Sequence, residues 1–233
     1  MRAADVMTTG VVTVSPDANI RDVAGVMLER RISAVPVVDA AGKLAGIISE
    51  GDLIHRHEAD TERKGHWWHA LTETVQDAAR VYTRAHGRRA RDVMTADVVT
   101  VTEDTALADV AALLDKHRIK RVPVVKGDKL VGVVSRSNLL QALLAAAPED
   151  DSAAGISVDD TAIRAAIMNE IAANDLSETE INVVVSDGVA SLWGAVESDM
   201  QRRAINVAAE NAKGVKAVED HLGLLPNNRW RGV

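Results

Sequence analysis

The sequence predicts a two-layer α+β protein, in which two similar units of element order β-α-β-β-α pack sheet to sheet and a small α-β-β-α-β domain follows. Two observations carry this prediction. The motif Asp-Val-Met-Thr at residues 5–8 recurs at residues 92–95, which indicates a duplicated unit. The formal net charge of −7 also divides unequally, into +1 for residues 1–148 and −8 for residues 149–233, which indicates a separate C-terminal domain.

Composition narrows the class of protein before any motif is considered. The 233 residues include no cysteine, which excludes disulfides, thiol nucleophiles and cysteine-ligated zinc. Four tryptophans and one tyrosine are the only aromatic residues, so the core must be aliphatic. No apolar run approaches the ~18 residues of a membrane span, and the first residues lack the apolar region of a signal peptide. We therefore expect a soluble, cytoplasmic protein.

The internal repeat is extensive and keeps its order. Residues 5–38 align with residues 92–125 at 18 identical positions of 34. Within this alignment, Val-Pro-Val-Val at residues 35–38 returns at residues 122–125. After a turn that is one residue shorter in the second copy, residues 46–53 match residues 132–139. One unit has therefore been duplicated along most of its length.

The elements of each unit follow from its hydrophobic pattern. In the first copy, residues 11–14 form a short β-branched strand. A helix follows, because apolar residues recur with a 3.6-residue period from Ile20 to Ile32. Residues 35–38 and 44–48 flank a glycine-containing turn, which predicts an antiparallel hairpin, and Leu53 opens a second helix. One unit is too small to cover both faces of its hairpin, so two must pack together.

Three motifs, in the same order and present twice, resemble those of a tandem cystathionine-β-synthase (CBS) domain pair: Asp-Val-Met-Thr, Val-Pro-Val-Val and Gly-x-x-Ser-x-x-Asp. The resemblance covers about residues 1–145, with an insert at residues 55–90 between the copies. The predicted organisation is CBS unit 1 at 1–58, a helical insert at 59–90, CBS unit 2 at 91–147, a linker at 148–155, a C-terminal domain at 156–225 and a tail at 226–233.

The loop after each hairpin is the predicted ligand-binding element. In the first unit a strand ends at Ser49 and a helix begins near Asp52, so backbone N–H groups and the positive helix end favour an anion such as phosphate. Asp52 can accept hydrogen bonds from ribose hydroxyls, and Ser49 can donate to sugar or phosphate oxygens. The competing interpretation is a capping box, in which both side chains only satisfy the first N–H groups of the helix.

The CBS resemblance implies two clefts, each combining the loop of one unit with strand-start residues of the other. The first cleft is preferred, because Lys120 and Arg121 would supply phosphate contacts that the second cleft lacks. The alternative for these two cations is ordinary solvation at a strand end. Aliphatic side chains such as Ile47, Ile119 and Val122 would hold the adenine. The implied ligand-binding residues are Ser49, Asp52, Thr100, Thr102, Lys120, Arg121 and Val122 in the first cleft, and Thr13, Ser33, Ala34, Ser135, Ser137 and Asn138 in the second.

Binding without chemistry is the predicted activity. The sequence contains no Gly-x-x-x-x-Gly-Lys-Ser/Thr phosphate loop and no carboxylate cluster placed for Mg²⁺. The resemblance implies a non-enzymatic regulatory protein whose ligand is an adenine nucleotide of the ATP, ADP or AMP type, with or without Mg²⁺, and which forms a homodimer through the CBS pair. The alternatives are a ligand-free dimerisation scaffold and a metal-dependent hydrolase built on the histidines of the insert.

The insert carries unusual side chains. His66 and His69 flank Trp67 and Trp68, and such spacing can place metal ligands, yet no third ligand completes a convincing site. The preferred interpretation is that the two tryptophans pack at the edge of the module or at a dimer contact. Further histidines and a basic run lie nearby, and we attribute that run to a solvated helix end rather than to nucleic-acid binding. These residues are His55, His57, His86, Arg84, Arg88, Arg89 and Arg91.

Residues 156–225 predict a helix, two strands, a helix and a third strand. Their spacing Val-x-Val-x-Asp-Gly-Val-x-x-Leu-x-Gly-x-Val resembles a BON domain. Such modules are usually associated with membrane or phospholipid attachment, but the charge of −8 opposes an anionic lipid surface. We therefore prefer an interaction or docking role, with a lipid-associated adaptor as the alternative and Arg229, Trp230 and Arg231 as candidate tail contacts. A ligand in the first cleft would act on this domain through a helix at residues 139–147.

Overall fold

The computed structural model describes residues 1–54, 82–145, 158–176 and 181–225. The α+β class is confirmed. Residues 82–86 are helical. The other elements, in chain order, are α1 (Ala3–Val6), α2 (Ile20–Glu29), β1 (Ala34–Val38), β2 (Leu44–Ser49), α3 (Glu50–Ile54), α4 (Ala90–Val93), β3 (Val101–Thr102), α5 (Leu107–Lys116), β4 (Arg121–Lys126), β5 (Lys129–Ser135), α6 (Arg136–Ala145), α7 (Val158–Ala173), β6 (Ile181–Ser186), β7 (Val189–Val196), α8 (Asp199–Glu210) and β8 (Ala217–Leu224).

The first long helix of the first repeat forms where its periodicity predicts. The Asn19 side chain accepts a hydrogen bond from the Arg21 N–H (2.9 Å) and so caps the N-terminus of α2. Ile20, Val23 and Met27 bury the apolar face of this helix. The helix thus combines a local start signal with one face that must be covered, and both are visible in the sequence.

The hairpin also forms as predicted, whereas the strand before it is shorter. β1 and β2 pair antiparallel and place Ala34 opposite Ser49. Within residues 11–14, Val14 alone joins the sheet, through one parallel bridge to Val37. Pro16 has no N–H, so the ladder does not continue beyond Val14 on its C-terminal side. In the second repeat the corresponding strand is β3, which pairs with β4 in a sheet of order β3-β4-β5.

The C-terminal domain has the predicted element order and a three-stranded sheet of order β6-β7-β8. β6 and β7 form an antiparallel hairpin, whereas β8 returns parallel to β7 after α8. α7 and α8 cover one face of this sheet through aliphatic side chains. The buried cluster on that face includes Ile163, Ile167, Ile171, Val183, Val185, Leu192 and Ile205.

β6 is buried at all six of its residues, which a sheet covered on one face alone does not explain. The second face lies against α1 and α6. Val184, on that face, belongs to the same buried cluster as Val6 and Leu114, and Trp193 packs against this cluster. The C-terminal domain is therefore docked through its sheet on α6 of the second repeat and on the N-terminal segment that contains α1.

The described chain divides into two compact units with discontinuous sequences. The larger unit contains residues 1–11, 100–124 and 131–233, and the smaller unit contains residues 12–99 and 125–130. In the larger unit Thr8 and Val133 exchange two backbone hydrogen bonds (2.9 and 3.0 Å). In the smaller unit Thr95 and Ile47 exchange the equivalent pair (2.9 and 3.0 Å). The Asp-Val-Met-Thr segment of each copy thus packs with the hairpin of the other copy.

Gly46 is expected to be intolerant of a side chain, because the segment that pairs with Ile47 lies too close. A Cβ at Gly46 would lie 2.9 Å from the Thr95 carbonyl oxygen and 2.5 Å from the Met94 Sδ. Gly46→Ala should therefore lower the free energy of unfolding by about 1–3 kcal/mol, measured by urea denaturation with far-ultraviolet circular dichroism.

Gly25→Ala is the matched control for this substitution. Gly25 lies inside α2, its backbone is helical, and a Cβ added there would meet no atom within 4 Å. Alanine at this position should raise the free energy of unfolding by about 0.5–1 kcal/mol. Equal stability changes for the two variants would contradict the close-approach explanation.

Candidate functional site

The loop between β2 and α3 is held by hydrogen bonds within the first repeat. The Asp52 Oδ2 accepts from both the Ser49 N–H (2.8 Å) and the Ser49 Oγ–H (2.6 Å). The Glu50 N–H donates to the Ser33 carbonyl (3.0 Å), which ties the loop to the residue before β1. Ser49 and Asp52 therefore make one half of a capping box, as the competing interpretation of the motif predicts.

The corresponding loop of the second repeat is built the same way with an amide in place of the acid. The Asn138 Oδ1 accepts from the Ser135 N–H and from the Ser135 Oγ–H (2.7 Å each), and the Asn138 N–H donates back to the Ser135 Oγ (3.4 Å). The Arg136 N–H donates to the Lys120 carbonyl (3.1 Å), the equivalent of the Glu50 to Ser33 bond. Both loops thus share one backbone design.

The two loops differ in which side-chain atoms of Asp52 and Asn138 are free of hydrogen bonds within the described residues. Among the described residues, the Asp52 carboxylate uses Oδ2 for the cap and accepts no hydrogen bond through Oδ1. The Asn138 amide uses its oxygen for the cap and donates from Nδ2 to the Thr8 Oγ1 (3.3 Å) and to the Gln141 Oε1 (3.4 Å). Asn138 is also buried, whereas Asp52 is partly exposed. Of the two loops, the first keeps an acceptor for a further hydroxyl.

The strand-start residues lie in two groups. Ser33 and Ala34 stand beside the first loop, because Ala34 pairs with Ser49 across the hairpin. Lys120 precedes β4 beside the second loop with its side chain exposed, and Arg121 opens that strand partly buried. Val122 is fully buried. The implied first cleft draws on residues of both compact units, and it stays a prediction.

The predicted hydroxyl residues are placed at the edges of the repeats. Thr13 and Thr100 are exposed, and so is Ser137 in the first turn of α6. Thr102 bonds locally, its N–H donating to the Thr105 Oγ1 (3.0 Å). Ile47 contributes backbone to the pairing with Thr95, and Ile119 packs against the buried cluster of the second repeat.

Sequence reasoning missed a group of polar residues between the second repeat and the C-terminal domain. The Asn182 Nδ2 of β6 donates to the Gln141 Oε1 of α6 (2.6 Å). Arg164 of α7 donates from Nε to the Val183 carbonyl (2.7 Å) and from a terminal nitrogen to the Met7 carbonyl (2.6 Å). The available signal was Asn182 itself, since it is the one polar residue in the run Ile-Asn-Val-Val-Val.

Arg164 is a buried cation at this junction. Burial lowers the pKa of its guanidinium to about 10, and the nearby negative charge of Asp5 opposes that shift. Asp5 is itself buried, and its Oδ2 accepts from the Arg2 N–H (2.6 Å). At neutral pH Arg164 therefore remains charged and is satisfied mainly by carbonyl oxygens.

Some predicted features lie outside the described residues. These are the histidines at 55, 57, 66 and 69, the tryptophans at 67 and 68, the linker at 148–155 and the tail with Arg229, Trp230 and Arg231. Within the described ranges, no group of three or more His, Asp or Glu side chains could hold a metal ion. In the same ranges, no helix has the length and apolar character needed to cross a bilayer.

Comparison with known families agrees with both resemblances. A family model described as "CBS domain" matches residues 3–58 and 90–145, and one described as "BON domain" matches residues 159–226. The CBS domain-containing protein YhcV of Bacillus subtilis is 30% identical over 135 residues, which cover 58% of this chain and 80% of YhcV. An uncharacterised protein of Methanocaldococcus jannaschii is 32% identical over 155 residues, which cover 62% of this chain and 92% of that protein.

A plant relative supplies a similar solved structure. The chloroplastic CBS domain-containing protein CBSX2 of Arabidopsis thaliana is 28% identical over 142 residues, and the match spans 56% of this chain and 58% of that protein's length. The crystal structure of CBSX2 in complex with AMP is similar with a TM-score of 0.55 and 25% sequence identity. That similarity covers 63% of this chain and 99% of the CBSX2 chain.

Substitutions at Asp52 are expected to separate its capping role from its charge. Asp52→Asn should keep the melting temperature close to that of the wild type, because an amide oxygen can accept both Ser49 hydrogens, as Asn138 does for Ser135. Asp52→Ala loses the cap and should cost about 1 kcal/mol, a fall of roughly 2–4 °C for a chain of this size. Differential scanning calorimetry measures both.

Glu50→Ala is the control on the same short helix, since Glu50 is exposed. Its melting temperature should match that of the wild type. A stable Asp52→Ala variant, or an Asp52→Asn variant as unstable as Asp52→Ala, would contradict the capping role.

Proposed function

Because this chain belongs to the CBS-domain family and carries a BON domain after its CBS pair, we propose that it is a non-catalytic regulatory protein that binds an adenine nucleotide. The observation that carries the proposal is the similarity to CBSX2, whose crystal structure contains AMP. The local chemistry agrees with it, since one hairpin loop presents a carboxylate oxygen that the loop itself does not use.

Asp52 is the proposed ribose ligand. A carboxylate oxygen can accept from the paired 2′ and 3′ hydroxyls of a ribose, and Oδ1 is the oxygen left for this after Oδ2 has capped α3. The cap holds the carboxylate in place, so little side-chain entropy remains to be lost on binding. On this view the capping box and the ligand site are one structure with two uses.

Lys120 and Arg121 are the proposed phosphate ligands, with Thr100 and Thr102 as polar neighbours in the ligand site. Arginine can bind phosphate through two parallel hydrogen bonds, which makes it suited to this role. The equivalent positions of the first repeat hold Ser33 and Ala34, which carry no charge. A nucleotide is therefore expected to prefer the combination of Asp52 with Lys120 and Arg121.

The C-terminal domain is the proposed output. A ligand can change the state of a protein only to the extent that it binds one arrangement better than another. α6 ends at Ala145 and contacts β6 directly, so a change within the second repeat can reach the C-terminal domain through packed side chains. The regulated target is a protein or a lipid surface that the C-terminal domain recognises.

Calorimetric titration with adenosine and AMP tests the ligand and the residue roles together. Asp52→Asn should weaken both ligands, because both carry the ribose. Arg121→Ala should weaken AMP by about tenfold or more and leave adenosine unchanged, because only AMP carries the phosphate. ADP, ATP and S-adenosylmethionine are titrated in parallel to rank the ligands.

Lys116→Ala is the matched control, since Lys116 is an exposed cation at the end of α5. It should bind AMP as the wild type does. At a free ligand concentration of 100 times Kd, the wild type should gain about 2.7 kcal/mol of stability. No heat and no melting shift with any of the five ligands would overturn the proposal and favour a ligand-free scaffold.

A further inference from the structure

A continuous line of hydrogen bonds connects the loop of the second repeat to the C-terminal sheet. It begins at the Ser135 N–H, which donates to the Asn138 Oδ1 (2.7 Å). The Asn138 Nδ2 then donates to the Gln141 Oε1 (3.4 Å), and the same oxygen accepts from the Asn182 Nδ2 (2.6 Å). The Asn182 Oδ1 lies 3.5 Å from a terminal nitrogen of Arg164.

The direction of every amide in this line is determined by its two ends. A backbone N–H at Ser135 can only donate, so Asn138 must turn its oxygen toward it. A guanidinium at Arg164 can only donate, so Asn182 must turn its oxygen toward Arg164. Both asparagines therefore present N–H groups to Gln141, whose Oε1 is the shared acceptor.

This polarity explains why the second loop carries an amide where the first carries an acid. An aspartate at position 138 would cap Ser135 equally well and could accept from the Thr8 hydroxyl, but it would present oxygen to the Gln141 Oε1, where Asn138 donates. Reversing Gln141 would not help, because its amino group would then meet the amino group of Asn182. At position 138 this series of hydrogen bonds therefore favours asparagine over aspartate.

We propose that the second-repeat loop is a docking element for the C-terminal domain rather than a ribose-binding element, with Asn138 and Gln141 as its positioning residues. The Asn138 side chain already donates both amide hydrogens and accepts two hydrogen bonds, so a ribose could be bound only by breaking contacts that hold β6. The two repeats have divided their roles, the first loop for ligand and the second for output.

One consequence concerns stoichiometry and rests on the proposed function. If Asp52 is the ribose ligand, the chain binds one adenine nucleotide and not two. Occupation of the second loop and docking of the C-terminal domain would compete for Asn138, and by linkage each would weaken the other.

Hydrogen exchange of the full chain, followed by mass spectrometry, tests the docking role through a pair of substitutions at Gln141. Gln141→Met keeps the size but removes the shared acceptor, and should speed exchange of the β6 amides by about tenfold. Gln141→Glu keeps an acceptor oxygen and should restore exchange to near the wild-type rate. The β1 amides, which lie in the other compact unit, should be unaffected by either variant.

Asn138→Asp is the independent variant, and it should also speed β6 exchange, whereas Asp52→Asn in the first loop should not. If Gln141→Met fails to fold, the comparison of Asn138→Asp with Asp52→Asn carries the same test. Unchanged β6 exchange in Gln141→Met and Asn138→Asp would overturn the docking role. So would Gln141→Glu exchanging as fast as Gln141→Met.

Titration of the same wild-type preparation with AMP distinguishes this inference from the proposed function. One AMP per chain is expected, and two per chain would overturn the single-site consequence. A chain that binds no AMP but shows the expected exchange pattern would contradict nucleotide binding and leave the docking role supported. A chain that binds AMP but shows unchanged β6 exchange in the variants would support nucleotide binding and contradict the docking role.

Discussion

Two-sided burial of short aliphatic strands is the constraint on which this structure depends. β1 is buried at four of its five residues and β6 at all six, so neither of these strands can face water on either side. With so few aromatic rings, coverage has to come from helices and from further β structure packed closely. This requirement explains why the Asp-Val-Met-Thr segments are exchanged between the copies and why the C-terminal sheet is docked through its second face.

The duplicated units contain two equivalent loops, and these differ in the hydrogen bonds that the residue at the third helical position can make. Both loops need a side-chain acceptor at the third helical position to cap the first N–H, and an acid or an amide meets that need. The acid leaves an acceptor for a new partner, whereas the amide adds two donors for neighbours within the protein. In the roles proposed above, the difference between the Asp52 carboxylate and the Asn138 amide is what distinguishes a ligand site from an internal junction.

The sequence alone predicts what depends on local periodicity. The positions of α2, the hairpin and the C-terminal elements follow from apolar spacing and turn glycines, and the family follows from repeated motifs. The contacts of Asn182 with Gln141 could not be predicted, because the two lie 41 residues apart and no local pattern relates them. The length of the first strand was overestimated, because β-branched residues at 11–14 favour extended backbone whether or not a partner strand lies beside them.

The exchange of the Asp-Val-Met-Thr segments has a consequence for how this chain folds. Thr8 pairs with Val133, so residues 5–8 are synthesised well before the residue with which they pair in the native structure. Synthesis proceeds at roughly 5–20 residues per second, so this delay lasts for seconds. The first hairpin is synthesised long before Val133. The space beside its Gly46, which residues 94 and 95 fill in the native structure, fits the Asp-Val-Met-Thr segment of either copy, since the two segments are identical. Closing that short loop is kinetically favoured over the long one. The duplicated motif therefore makes a competing, non-native pairing available during folding, and the native pairing of Thr95 with Ile47 can form only where that competitor is absent or has been reversed.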